Sequence, residues 1–433
     1  MYQAFARRIL PDGPGRDIVA LFGLATALGL VRTITQPHAT VHLHGTAVTI
    51  TPSDFGYVAL AIAIVVFARK PALAGLLRFP LLAGSLTLFS LWLLATAAHN
   101  GTSPFVSGVR VIEPAIVGIA AIALLDSEDR LASLVDLILG VTLAADVLGL
   151  YDYIVQGDRR TDSFLGIHDF SALATLTMLV VLAGLFAPGR WSLRTRWVAG
   201  LAGWLGLALT AALASLVSLF LGVIVLFVLA WHHRRLARRP VVLTLLIVAV
   251  VVGSTLSLRH NDLGFIYKLS GKKETKTGQF ESSWSQRLIY VYVGGRIFLD
   301  QPLTGTGWWG DPPPSTFARF VPAARRKFPD NPANYFPPTD KPFIPQQTYD
   351  QVLYELGLIG AGLLLAGFVA AGRAALGAAR DATGTALDYV PVLWFAGLIG
   401  ALAGEGLFGG IPLTTLMWLT FGLATYRRQP QAS

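Results

Sequence analysis

Apolar runs of about 20 residues recur along most of this 433-residue chain, and they constrain its fold more than any other feature. Each run is long enough to cross about 30 Å of hydrocarbon as a helix. Hydrophobic residues make up 54% of the sequence and charged residues only 14%. Because backbone groups in lipid must pair within their own segment, helices are the default spanning structure. The sequence therefore predicts an all-α integral membrane protein.

Twelve transmembrane helices are predicted from these runs. They are placed at residues 17–35, 54–68, 79–98, 106–126, 132–154, 169–187, 197–213, 215–232, 240–258, 348–372, 387–404 and 411–426. Basic residues cluster at every second boundary, which predicts that those edges and both termini are cytoplasmic. The apolar stretch from Trp197 to Trp231 would make a single helix of about 52 Å at 1.5 Å per residue. A break near Ala214-Ser215 is predicted for that reason.

One large polar segment interrupts the series and is predicted to be an extracytoplasmic loop domain between spans nine and ten. It covers residues 259–347, so the chain divides into spans one to nine at 1–258, the loop, and spans ten to twelve at 348–433. The loop carries twelve Lys and Arg against seven Asp and Glu, and its many aromatic residues predict a small core. The excess of positive charge indicates either a solvated surface or an anionic substrate on the outer face.

Several classes of chemistry have no support in the sequence. There is no P-loop, no H-E-x-x-H motif and no cysteine, so no metal site and no cofactor are predicted. No nucleic-acid-binding pattern is present either. Membrane lipid is the partner that the apolar surface implies.

Charged residues in or beside the spans are the candidates for function. Arg110 and Glu113 are three residues apart and share a helix face. Asp146, Asp152 and Glu405 are further candidates, and such groups would also suit an ion relay in a transporter.

Arg287 is the strongest candidate in the loop, because a guanidinium matches phosphate oxygens bidentately. It precedes an apolar helical pattern from Ile289 to Leu299. Arg296 would face the opposite side of the same helix.

An ordered set of motifs resembles the O-antigen ligase and O-antigen polymerase superfamily. The C-terminal signature of that superfamily is similar to four parts of this chain, which are Trp284–Arg287, Pro302–Gly307, Tyr349 and Glu355–Gly360. Two further segments, Arg160–Ala172 and Leu209–Ser215, resemble the family's sixth-span entry and its T-x-S-R-G turn.

The resemblance implies a metal-independent glycosyltransferase on the outer face of a bacterial cytoplasmic membrane. The implied donor is a polyprenyl-pyrophosphate-linked glycan, and the implied acceptor is another glycan or a lipid-linked molecule. Arg side chains would stabilise the charge that develops on the pyrophosphate leaving group, and a base would activate the acceptor hydroxyl.

The chain departs from the family pattern at two places. Leu216 follows Ser215 where the family has Arg, and Gln346-Gln347 stands where many members have His-Asn. The predicted catalytic set is therefore Arg287, Gln346, Asp350 and His168, with Asp169 beside the last as a further substitute for the missing base. The predicted substrate-binding residues are Arg110, Arg159, Arg160, Arg296, Arg319 and Tyr349.

These features favour a polymerase that extends lipid-linked repeats, because the histidine associated with ligases is absent. Three alternatives remain open. They are a ligase for another acceptor, a lipid-linked glycan flippase or transporter, and a family member that binds the glycan without catalysis.

Overall fold

The structure is a computed structural model that describes residues 16–43, 45–158, 160–258, 282–382 and 384–427. Within these residues it is mainly helical, and one antiparallel hairpin pairs β1 (Ala39–Leu43) with β2 (Thr46–Ile50). Buried apolar side chains from nearly all of the long helices form one continuous core. The chain is thus an α-helical membrane protein, as the sequence predicts.

Most of the helices before the predicted loop follow one another with short connections, and the longest connection, between α1 and α2, contains the hairpin. They are α1 (Arg16–Gly29), α2 (Pro52–Phe67), α3 (Arg69–Arg78), α4 (Pro80–Asn100), α5 (Thr102–Ile112), α6 (Ala115–Leu124), α7 (Glu128–Tyr151), α8 (Ile167–Phe186), α9 (Leu193–Thr210), α10 (Leu213–His232) and α11 (Arg238–Leu258). The loop region contributes α12 (Ser282–Asp300), α13 (Pro314–Phe317) and α14 (Val321–Lys327). The chain then continues through α15 (Thr348–Asp381), α16 (Val390–Ala401) and α17 (Pro412–Leu423).

Length and hydropathy qualify fewer helices as membrane spans than the sequence predicts. Among the described residues, 7 helices are long and apolar enough, or up to 8 if α2 and α3, bent by 93°, count as one broken span. A helix occupies each of the twelve predicted segments, but three of them are shorter apolar helices of 10–17 residues. The count of twelve spans therefore stays a prediction.

The predicted break in the long apolar stretch is present, at a slightly earlier position. Helix α9 ends at Thr210, Ala211 adopts a left-handed conformation with a φ of 46°, and α10 begins at Leu213. The break lies at residues 211–212 rather than at Ala214-Ser215. Periodicity alone cannot locate it, because both sides of the break are equally apolar.

The described part of the loop region has its own small core, as its aromatic content predicts. Phe317, Tyr335, Phe336 and Phe343 pack with apolar residues of α12 and with Tyr354 at the start of α15. The predicted helix over Ile289–Leu299 is confirmed within α12, which ends at Asp300. Residues 259–281 of the predicted loop lie outside the described residues.

A kink in α15 fixes this region against the helical core. Gly357 interrupts the helix with a φ of 64° and a ψ of −166°. The freed amides of Leu358 and Ile359 donate to the carbonyls of Pro302 and Leu303, at 2.8 and 3.1 Å. A Cβ at Gly305 would lie 2.4 Å from the carbonyl carbon of Glu355, so the approach requires a glycine there. We name this contact between residues 302–310 and the kink the clasp.

Candidate functional site: a charged cluster at the helix ends

Arg287, near the start of α12, is held by the connection between α16 and α17. Its Nη1 donates to the carbonyl oxygens of Gln346 (3.0 Å) and Ala403 (3.4 Å), and its Nη2 donates to that of Gly404 (2.8 Å). Nη2 also lies 3.2 Å from Nε2 of His168. These four contacts fix the orientation of the guanidinium.

The contact with Arg287 determines the role of His168. A guanidinium can only donate hydrogen bonds, so Nε2 of His168 must be the acceptor and the ring must be neutral with its proton on Nδ1. His168 is the second residue of α8, and a Cβ at Gly404 would lie 3.3 Å from its Nδ1. The nearest atom to such a Cβ would be Cβ of Ala214 at 2.7 Å, so the glycine lets α10 and the α16–α17 connection approach closely beside the histidine.

A second arginine, Arg32, follows α1, contacts the same connection through Glu405 and pairs with two carboxylates. Its Nε and Nη2 donate to Oδ2 of Asp169 at 3.0 and 2.6 Å, and Nη2 also donates to Oε1 of Glu405 at 2.8 Å. The side chain of Asp169 is fully buried, and that of Arg32 is 23% exposed. Gly166 makes room for this arrangement, because with a φ of +98° a Cβ there would lie 2.1 Å from Cζ of Arg32.

Asp169 also ties α8 to the start of α17. Its Oδ1 accepts a hydrogen bond of 2.7 Å from the backbone N–H of Leu413, the second residue of α17. The amides at a helix start are unpaired donors at the positive end of the helix dipole, which favours a carboxylate there. Arg32 and this amide together satisfy the buried charge of Asp169.

Glu405 is the acidic group of the cluster that faces both arginines. It follows Gly404, whose carbonyl binds Arg287, and its own backbone carbonyl accepts a hydrogen bond from Thr348. Burial raises the pKa of Glu405 above its ordinary value, to about 8, and the negative charge of Asp169 adds to the effect. The charges of Arg32 and Arg287 act in the opposite direction. Within the described residues, Oε2 of Glu405 has no hydrogen-bond partner.

We call Arg32, His168, Asp169, Arg287 and Glu405 the charged cluster. Its members come from the end of α1, the start of α8, the start of α12 and the α16–α17 connection. The cluster unites two cations, two carboxylates and an imidazole. Such a set can bind an anionic group and accept a proton from a hydroxyl.

Two predicted catalytic residues, Gln346 and Asp350, and the predicted substrate-binding residue Tyr349 lie at or just before the start of α15 and make different contacts. Gln346 contacts Arg287 through its backbone carbonyl, and its side-chain amide takes no part in that contact. Asp350 lies in the first turn of α15, accepts from the N–H of Gln351, and is within the electrostatic reach of Arg287. Tyr349 is 39% exposed and donates to the carbonyl of Ile399.

The predicted substrate-binding arginines do not gather at the cluster. Arg110 lies 4.0 Å from Asp54 and packs against Gly409 of the α16–α17 connection. The Nε of Arg160 donates to the carbonyl of Thr210 and so joins the loop before α8 to the end of α9.

The other two described arginines are on the loop surface. Arg296 is exposed and lies over the ring of Tyr292, and Arg319 pairs with Asp300 on the surface. Arg159 lies outside the described residues.

Sequence reasoning missed Arg32 as a functional residue. In the sequence, Arg32 stands out only as a basic residue near the outer end of the first predicted span, where the positive-inside rule expects few basic residues. A basic residue at the wrong edge is the signal that could have found it, because an outer cation needs a local reason. Its carboxylate partners are 137 and 373 positions away in the chain, so no sequence window contains the pair.

The end of the signature has a structural role in the clasp. Glu355 is fully buried, and its Oε2 accepts the backbone amides of Trp309 (2.6 Å) and Gly310 (2.9 Å). Its Oε1 accepts from Gln351, which in turn binds the backbone of Leu407. Through these contacts the signature glutamate holds the clasp and the α16–α17 connection together.

The fold and the cluster define a class, which is a multi-pass α-helical membrane protein with a charged site built from helix ends. Within that class, residues 198–365 match the family model described as O-antigen ligase, from within α9 to within α15. This part of the chain carries the domain of the O-antigen ligase superfamily, and the resemblance seen in the sequence is confirmed. The matched segment contains Arg287 and the clasp. No curated protein matches the chain.

Proposed function

We propose that the charged cluster transfers a glycan from a polyprenyl-pyrophosphate-linked donor to a hydroxyl acceptor. In this proposal the cluster and residues 259–347 face the outer side of a bacterial cytoplasmic membrane, between helices 1–258 and 348–433, and both termini are cytoplasmic. The observation that carries it is that two arginines contact adjacent residues of one connection, because Arg32 pairs with Glu405 and Arg287 binds the carbonyl of Gly404. The superfamily match supports glycosyl transfer in general.

The arginines supply the electrostatic part of the reaction. When the glycosidic bond to the pyrophosphate breaks, negative charge grows on the leaving oxygen. A fixed guanidinium stabilises that charge because it does not have to reorganise during the step. Arg287 is fixed by three carbonyls and His168, which makes it the principal group for this role.

Glu405 supplies the general base in place of the family histidine that Gln346 replaces. Its Oε1 is fixed by Arg32, which leaves Oε2 to accept the proton of the acceptor hydroxyl. A base works best when its pKa lies near the working pH, and burial moves the pKa of Glu405 in that direction. Arg32 and Asp169 are positioning residues in this scheme.

Two outcomes of transfer fit this chemistry. We propose extension of lipid-linked repeats as the main activity, because Gln346-Gln347 stands where ligases have a protonatable histidine. Transfer to a different acceptor is the second candidate, and the family description as a ligase favours it. The product distinguishes them, since a polymerase yields longer lipid-linked chains and a ligase moves the glycan onto a new acceptor.

The test uses purified full-length protein in liposomes, a polyprenyl-pyrophosphate-linked repeat, EDTA and no nucleotide. We expect a ladder of longer lipid-linked chains on a gel, and loss of about 10²–10³-fold in rate for Arg287→Gln, the cost of removing one fixed charge-stabilising donor. The matched control is Arg296→Gln on the same helix, whose side chain is exposed and outside the cluster. Equal activity of both variants would overturn the role of Arg287, and an unchanged donor with every acceptor offered would overturn the proposed function.

A further inference from the structure

A second basic site lies at the opposite ends of the helices from the charged cluster. A cavity of about 660 Å³ opens between the end of α10, the connection to α11 and the end of α15. It is lined by Val228, Leu229, Trp231, His232, Arg234, Leu236 and Arg380. We call it the basic cavity, and no carboxylate is among its lining residues.

The two arginines of the basic cavity lack acidic partners in the described part of the chain. Neither Arg234 nor Arg380 forms an ion pair with a described Asp or Glu, although Asp381 follows Arg380 directly and pairs with Arg427. Both arginines are exposed. The cavity is therefore lined by two arginines that form no ion pair with a described carboxylate, one from the α10–α11 connection and one from the end of α15.

The backbone at Arg234 is an unusual feature of this site. Arg235 N–H donates to the carbonyl of Ala230 (2.7 Å) and Arg234 N–H to that of Trp231 (2.9 Å), which is the Schellman ending of a helix. Arg234 occupies the left-handed position of the motif with a φ of 55°. Glycine is the usual residue there, because a side chain is strained in this conformation. The carbonyl end of the helix attracts a cation nearby. This attraction does not explain why an arginine occupies the strained left-handed position itself.

The other wall of the cavity is apolar and borders the lipid-facing surface. Trp231 is 74% exposed, and Leu236 and Val228 are also exposed. Tryptophan favours the boundary between hydrocarbon and head groups. A ligand that fits both walls carries a phosphate for the arginines and an acyl chain for the apolar side.

We propose that the basic cavity binds the phosphate of an anionic membrane phospholipid. Arg234 and Arg380 contact the phosphate oxygens, and the acyl chains lie along Trp231 and Leu236. Basic pockets between helix ends are a recognised chemistry for anionic head groups. This site is separate from the charged cluster and does not depend on glycosyl transfer.

The test measures lipid binding by native mass spectrometry on the purified full-length protein, with phosphatidylglycerol and phosphatidylcholine titrated in parallel. The double variant Arg234→Gly with Arg380→Gln should bind phosphatidylglycerol about 30-fold more weakly, from the loss of two arginine contacts. Phosphatidylcholine, whose choline cation offsets its phosphate, should bind wild type more weakly than phosphatidylglycerol does and should lose less affinity in the variant. Glycine suits the left-handed position, so Arg234→Gly alone should not lower the melting temperature.

The matched control removes two other exposed charges at the same edge, by Arg238→Gln with Arg373→Gln. Its affinity for phosphatidylglycerol should stay within about twofold of wild type, since neither residue lines the basic cavity. An equal loss in this control, or unchanged binding in the first variant, would overturn the site. Displacement of the lipid by millimolar inorganic phosphate, with phosphate itself binding equally well, would overturn the assignment to a lipid.

Discussion

Replacing Arg32 with methionine should destabilise the protein strongly, although the residue lies outside every long helix. Methionine retains much of the length of the side chain but removes the charge that Asp169 and Glu405 share. Asp169 is fully buried and would keep only backbone amides as partners, that of Leu413 and its own. Removing one partner of a buried ion pair costs about 3–5 kcal/mol, because an uncompensated charge remains in a poorly solvated site. We expect Arg32→Met to lower the free energy of unfolding by about that amount.

The assay is a double-mutant cycle measured by equilibrium unfolding in mixed micelles, with tryptophan fluorescence as the signal. Asp169→Asn removes the buried charge with little change in shape. In the double variant Arg32→Met with Asp169→Asn no unpaired aspartate remains, so its cost should be smaller than the sum of the single costs. Coupling between groups in direct contact is typically about 0.5–3 kcal/mol, and the upper part of this range is expected for a buried pair.

An exposed ion pair on the loop surface provides the matched control. The Arg319 and Asp300 side chains are 60% and 42% exposed. Exposed pairs contribute about 0–1 kcal/mol, so Arg319→Met should change stability by less than about 1 kcal/mol. The reasoning would be refuted if Arg32→Met cost no more than Arg319→Met, or if the costs of the Arg32 and Asp169 variants were simply additive.

Four further predictions concern the cluster and the clasp. The rate of transfer should rise with pH up to about 8, because Glu405 must lose its proton to act as base; Glu405→Gln should remove this limb of the pH–rate profile. Stability should show the opposite trend. Because the pKa of Glu405 is raised in the folded state, its contribution to stability is fully present below about pH 4.5 and is lost as pH rises through about 8. Unfolding of wild type and Glu405→Gln across this range checks the sign. Glu355→Ala should lower the free energy of unfolding by about 2–6 kcal/mol, since it leaves two amides of the clasp unpaired at about 1–3 kcal/mol each. A smaller loss for Glu355→Gln in the same unfolding assay would show that the lost acceptor is the cause. Unchanged stability in Glu355→Ala would refute the reasoning. Gly166→Ala should lower both activity and stability, because a Cβ there displaces Arg32 from the buried Asp169. Wild-type activity and stability in this variant would show that Arg32 does not need its observed position.

The local features of the fold could be predicted from the sequence because they depend on nearby residues. Apolar length predicted the helical membrane fold, and excessive length predicted a break before α10. The exact break at residues 211–212 could not be predicted, because its position depends on how α9 and α10 pack against other helices. The count of spans also depends on a membrane boundary that hydropathy alone does not define.

The candidate site was predictable only in part, for a related reason. Arg287 and His168 were found because they stand in recognisable motifs. Arg32 has no motif, and it gains its place from Gly166 and from carboxylates that are distant in the chain. Gln346 was chosen for its alignment with a family histidine, but the structure shows contact with Arg287 through its backbone.

The order in which the chain is made gives the charged cluster a further property. Arg32 is synthesised early, His168 and Asp169 later, Arg287 later still, and Glu405 after all of them. Until the α16–α17 connection has formed, Arg287 lacks the Ala403 and Gly404 carbonyls and Arg32 lacks one of its two carboxylates. An incompletely inserted chain would therefore present the arginines without the base. Under the proposed function, such a chain could hold the donor but could not consume it, so activity would begin only once insertion of the last helices was complete.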